Sequence, residues 1–121
     1  MRQLEKVYDL EERTAKFGES VVKFCRNIKY DTISKPIISQ LIRSSTGIGA
    51  NYMEANGASS RKDFRNKIFI SKKEAQETKH WLRMLATSNP ELREELKVLW
   101  KEAQELTMIF QKIVNSMKIG N

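Results

Sequence analysis

Glu77 and His80 stand three residues apart in the stretch KKEAQETKHWLRML. That spacing places a carboxylate and an imidazole on one helix face and recurs in carboxylate-bridged metal sites of helix bundles. A dinuclear site of that kind needs a second Glu-x-x-His pair and further inward glutamates, and His80 is the one histidine in the chain. The same scarcity weighs against nucleophilic catalysis, because Ser39, Ser44, Ser45 and Cys25 have only His80 to draw on as a base. The glycines at Thr46-Gly47-Ile48-Gly49 lack the strand setting and the remaining residues of a phosphate-binding loop. The residues therefore predict no enzyme, no metal and no cofactor, and Glu74 and Glu77 read as partners of basic side chains across a helix seam.

The elements that position these residues follow from apolar spacing. Stepping by three and four joins Leu10, Thr14, Phe17, Val21, Phe24 and Ile28, then Ile38, Leu41, Ser45, Ile48, Tyr52 and Ala55. It also joins Phe64, Ile68, Ser71, Ala75, Thr78, Leu82 and Leu85, and a last run from Leu92 through Leu99, Ala103, Leu106 and Phe110 to Met117. Helices are expected at about 9–28, 35–56, 61–87 and 90–117. Asp9 with Glu12 and Ser60 with Asp63 have capping-box spacing, Ser34 precedes Pro36, and Asn89 precedes Pro90. Short connections make neighbours antiparallel, which predicts an all-α, up-down-up-down four-helix bundle as a single domain over 1–121. Only the first few residues and the tail at 118–121 are expected to lack order.

In the third helix Ser71, Ala75 and Thr78 are small enough for close approach, with Ser45, Gly47, Gly49 and Ala50 of the second helix as partners. Folding the two helices about 57–60 puts Arg43 level with Glu74, and Lys62 and Arg65 near Glu54. Ile70, Trp81, Met84, Val98, Trp100, Met108 and Val114 fall outside the seams, more apolar surface than one bundle needs, which hints at a homo-oligomer. The lone Cys25 lies among apolar neighbours and reads as a buried free thiol suited to a reducing cytoplasm. The charged N-terminal stretch resembles neither a signal peptide nor a membrane span, so no membrane association is expected.

The run RSSTGIGANYMEANGASSRKDFRNK followed by KKEAQETKHWLRML resembles the four-helix bundle proteins encoded in 23S rRNA intervening sequences, labelled S23 ribosomal protein. Arg43, Asn51, Glu54, Asp63, Glu74, Glu77 and Trp81 carry the likeness, and in the bottom-up reading these are structural residues. The chain departs from the pattern at Ala55, where glycine is usual, and at His80, where an aromatic such as tyrosine is common. The resemblance implies an antiparallel bundle that assembles into a ring-shaped homopentamer. It also implies kinship with accessory proteins of diversity-generating retroelements, which are basic rings that bind nucleic acid and a reverse transcriptase.

Charge supplies a separate hint. The chain carries a formal net charge of +7, and between Arg61 and Arg83 eight basic residues face three acidic ones, Asp63, Glu74 and Glu77. Arg61, Lys62, Arg65, Lys67, Lys72 and Lys73 are the candidate contacts to RNA or DNA, and a ring would repeat them. With Phe64 in the seam and Tyr30 the only loop candidate, few exposed aromatics are expected to be available for stacking, so binding is expected to be electrostatic and without strong sequence preference. The competing expectation is a scaffold for an unidentified protein partner, with no nucleic-acid role.

Overall fold

The computed structural model describes residues 9–117. It contains α1 (Leu10–Arg26), α2 (Ser34–Asn56), α3 (Arg61–Ser88) and α4 (Arg93–Ser116), with a 3-10 turn at Pro90–Leu92 leading into the last helix. No strand occurs among the described residues. The all-α four-helix bundle that the apolar period predicts is the observed architecture, with sequential helices packed antiparallel. The first few residues and the tail, expected to lack order, lie outside the described residues.

The seams become the core because a helix buries the stripe that recurs every three to four residues. Phe17, Val21, Leu41, Ile48, Ile68, Leu82, Leu85, Leu106 and Phe110 are buried. Val114, read from the sequence as lying outside its seam, is buried as well, since α4 turns a stripe wider than two positions in seven toward α3. Cys25 is buried, and desolvation of the thiolate pushes its pKa up to about 11.

Two caps differ from expectation. Asp9 adopts a left-handed backbone with φ 39° and caps nothing with its side chain; only its carbonyl serves the helix, accepting Arg13 N–H at 2.9 Å. Ser34 does not cap α2 but is its first residue. Asp31 Oδ1 accepts the backbone N–H of Ile33 at 3.0 Å and of Ser34 at 2.9 Å, while Ser34 Oγ accepts Asp31 N–H at 2.9 Å. Those bonds, the one to Ser34 foremost, hold the Asp31 carboxyl below its ordinary range. At α3 the expected cap is present, Ser60 Oγ accepting Asp63 N–H at 3.0 Å.

Close approach of α2 and α3 uses small and hydroxylated residues. Ser71 Oγ donates to the Ile48 carbonyl at 3.2 Å, and Thr78 and Ser44 hydroxyls lie 2.9 Å apart. Gly47 faces α3 closely enough that a Cβ there would lie 2.9 Å from Glu74 Oε2. Gly49 and Ala50, expected against α3, instead face α1: a Cβ on Gly49 would meet Thr14 Oγ1 at 3.2 Å, and Ala50 lines a groove with Ala15 and Gly18. The 3.6-residue period explains this, because positions 47 and 49 point about 200° apart around the axis.

The bundle is tightest along α2, α3 and α4, whereas α1 leans on α2 and touches α4 sparsely. An open groove of about 490 Å³ separates α1 from α4, with Phe17 and Leu99 on its walls. Arg13 spans that groove, its guanidinium 2.7 Å from Glu102 and 2.7 Å from Glu105.

Candidate functional site

Helix α3 carries two opposed flanks beside its buried stripe of Phe64, Ile68, Ser71, Ala75, Thr78, Leu82 and Leu85. One position before each stripe residue lie Asp63, Lys67, Ile70, Glu74, Glu77, Trp81 and Met84, on the side of α2. One position after lie Arg65, Phe69, Lys72, Gln76, Lys79, Arg83 and Ala86, on the side of α4. All three acidic residues of the helix therefore share the α2 flank, and the α4 flank holds four basic residues and no carboxylate.

On the α2 flank four of the family-like residues, Arg43, Glu74, Glu77 and Trp81, form one polar cluster. Arg43 contacts Glu74 at 3.4 Å and Glu77 through a short hydrogen bond, as the expected register of Arg43 with Glu74 requires. Trp81 donates its indole N–H to Glu77 Oε2 at 3.0 Å from one turn onward in the same helix. The Trp81 donor, with Arg43 second, holds the Glu77 carboxyl below its ordinary range, and the bond to Glu77 raises the Arg43 pKa. His80 points its ring edge-on to Trp81, with centroids 4.8 Å apart, rather than toward a shared ligand with Glu77. Among the described residues no group of three or more His, Cys, Asp or Glu side chains is placed to hold a metal ion. The cluster's chemistry is ion pairing that fixes the α2–α3 register.

Asn51 donates to the Gly47 carbonyl of its own helix at 2.9 Å, and Asp63 sits in the first turn of α3 with its N–H capped by Ser60. Glu54 pairs with Lys67 at 2.9 Å. This corrects the expectation of Lys62 and Arg65 near Glu54: Lys67 lies on the α2 flank, Arg65 on the opposite flank and Lys62 on the solvent face. Pairing with Glu54 raises the Lys67 pKa and cancels its charge, which withdraws it from the free cations.

Of the remaining candidate cations, Arg61, Lys62 and Lys73 are exposed and form no ion pair among the described residues. Arg65 is half-buried, its Nε without a hydrogen-bond partner among them. Lys72 reaches across to α4 and donates to Gln111 Oε1 at 2.8 Å, and Lys79 does the same to Gln104 through a short bond.

The expectation of few exposed aromatics is corrected on this face: from the sequence Phe69 is unassigned and Trp100 reads only as surplus apolar surface, and both are exposed. Phe69 is 41% exposed and Trp100 40% exposed. Lys72 Nζ sits 4.5 Å from the Phe69 ring centroid, and Lys79 Nζ sits 5.3 Å from that of Trp100. The signal for Phe69 was available: stepping one place after each seam residue of α3 collects Phe69 with the cations and leaves every acid behind.

A family model described as 23S rRNA-intervening sequence protein matches residues 6–112 of the chain. Among solved structures, the chain is similar to a crystal structure of a protein of unknown function from the S23 ribosomal protein family of Bacteroides thetaiotaomicron. The identity is 30%, with 86% of this chain and 96% of that one covered and a TM-score of 0.76. No curated protein matches.

Proposed function

We propose a function from one premise: the chain belongs to the 23S rRNA-intervening sequence protein family. Our reading is a non-enzymatic, basic, oligomeric bundle that binds nucleic acid, RNA or DNA, as an accessory protein. The observation that carries it is the division of charge on α3, where Glu74 and Glu77 are paired with Arg43 of α2, and Lys72, Lys79 and Arg83 stand together on the α4 flank without a carboxylate of the same helix. Arg61, Lys62 and Lys73 extend that positive surface along solvent. Phosphate is the ligand such an array attracts, because each Lys or Arg contact releases condensed counterions.

The start of α3 contributes less than its charge count suggests. Asp63 lies in the first turn and Ser60 already satisfies its N–H, so the positive end of the helix dipole is partly met within the chain. Arg61 and Lys62 act as mobile phosphate contacts rather than as walls of an anion pocket.

Salt-dependent binding tests the reading. Log affinity is expected to fall with log salt at a slope of roughly −0.9Z on duplex DNA and −0.7Z on single strands for Z phosphates neutralised. Arg61→Ala with Lys62→Ala flattens that slope. Affinity without salt dependence, or none for RNA and DNA alike, overturns the reading.

A second reading, a protein-partner scaffold, draws on exposed Met53, Val98 and Met108, which are 63%, 68% and 58% exposed. The same side chains support self-assembly, and the homopentamer implied by resemblance predicts a mass about five times the 14.1 kDa chain by light scattering. No helix among the described residues is long and apolar enough to cross a membrane. A cytoplasmic setting suits the free thiol of Cys25.

A further inference from the structure

The outer groove between α3 and α4 pairs aromatic rings with Lys72 and Lys79, which form no ion pair with a carboxylate among the described residues. Lys72 and Lys79 are held by Gln111 and Gln104, whose amide oxygens are neutral. Each amine is thus positioned while its full charge stays available, unlike Lys67, which spends its charge on Glu54. The acids of α4 that might intrude, Glu102 and Glu105, are turned to the other side and held by Arg13.

The two lysine bridges also fix the register. Residues 72 and 111, like 79 and 104, are opposite each other on antiparallel helices, so Trp100 stands level with position 83. Phe69 and Trp100 then mark the two ends of the groove, 14 residues of helix apart, or roughly 21 Å at 1.5 Å per residue. At about 3.4 Å per stacked base that span covers about six steps. A partly exposed ring beside an ammonium group offers a face to a base and a charge to the adjoining phosphate, the combination used by single-strand binders. Duplex nucleic acid hides its base faces and leaves both rings without a partner.

We propose that the α3–α4 groove is a site for single-stranded nucleic acid, with Phe69 and Trp100 stacking on bases and Lys72 and Lys79 contacting phosphates. The proposal rests on the nucleic-acid reading above and adds to it a place, a strandedness and a recognition of bases.

The test uses the full chain with 12-nucleotide oligo(dT), oligo(U) and an abasic strand of equal phosphate count, followed by anisotropy and tryptophan emission. The expected result is tighter binding of base-bearing strands than of the abasic strand, with quenching of Trp100. Trp100→Ala reduces that preference, about 5- to 150-fold for one lost stacked base, and leaves the salt slope unchanged. Trp100→Phe keeps most of the affinity while losing the quench, which separates stacking from a folding defect. Lys72→Gln with Lys79→Gln lowers the slope by about 1.4 on single strands. The dT and U arms compare a DNA strand with an RNA strand.

Equal affinity for base-bearing and abasic strands, unmoved by Trp100→Ala but weakened by Arg61→Ala with Lys62→Ala, overturns the groove and leaves the general nucleic-acid reading in place. A change of oligomer mass in Trp100→Ala with strand binding intact also overturns it, by making the groove an interface between copies. Absence of binding to every strand removes both.

Discussion

Trp81 donates its indole N–H to Glu77 at 3.0 Å, one helical turn away, so a half-buried aromatic fixes the carboxylate that Arg43 of the neighbouring helix also grips. The bond gives the pairing of glutamate and tryptophan at this spacing a structural role. Trp81 restricts the Glu77 rotamer, and the oriented carboxylate then aligns α2 against α3.

Acid unfolding should report that contact. The Glu77 pKa is lower folded than unfolded, where it lies near about 4.3, so between the two values the unfolded chain binds more protons. The contribution is complete above about 4.3 and is lost as pH falls through the lowered folded value. Glu77→Gln should remove this part of the acid sensitivity in melts between pH 5 and 2. The loss at pH 7 should be about 1 kcal/mol at most, because the side chain is 38% exposed and screened by solvent.

Gly47→Ala has two opposing effects. Alanine favours a helix interior by about 1 kcal/mol, but its Cβ would lie 2.9 Å from Glu74 Oε2 and 3.2 Å from Glu74 Cδ, displacing the partner of Arg43. The expected outcome is a clear rise in melting temperature when Gly47→Ala is made on a Glu74→Ala background, and a smaller rise or a fall on the natural one. Equal effects in both backgrounds would show that Glu74 swings aside without cost.

Arg13→Ala should loosen one helix before the rest. Among the described residues only Arg13 bridges the α1–α4 groove with ion pairs, to Glu102 and Glu105, and its loss leaves two carboxylates three residues apart without their shared cation. Global stability should fall by about 1–2 kcal/mol, given the partial burial of the pair. Amide exchange should accelerate in α1 more than in α3. Uniform acceleration across the four helices would contradict a loosely attached α1.

Cys25 should resist thiol reagents while the chain is folded. With a pKa of about 11, only about one thiol in a thousand is ionised at pH 8, and the sulfur is buried besides. Labelling by a disulfide reagent should follow the unfolding transition in urea, and rapid labelling in native buffer would count against the described packing of α1.

The bundle was legible in the sequence because burial of a helix depends on a local period. Phe17, Val21, Leu41, Ile68, Leu82 and Phe110 could be placed in the core without knowing what they touch. The ion pair of Arg43 with Glu74 was legible too, since a hairpin folded about 57–60 fixes which residues stand level. Which flank of each helix met which neighbour was not, because a seam has two sides and local spacing does not say which side a neighbour occupies.

That single choice accounts for most of the differences. Gly49 and Ala50 went to α1 rather than α3, Lys67 rather than Lys62 or Arg65 took Glu54, and Val114 entered the core. It also brought Trp100, far away in the chain, beside Lys79, and left Phe69 exposed beside Lys72. By itself the sequence determined that four amphipathic helices would form and that α3 would carry an excess of positive charge, both consequences of residue type and local spacing. Only the tertiary structure decided that Glu74 and Glu77 of α3 would be paired with Arg43 of α2 and the aromatic-flanked cations Lys72 and Lys79 left facing α4, because the order in which helices pack around the core assigns each flank its partner.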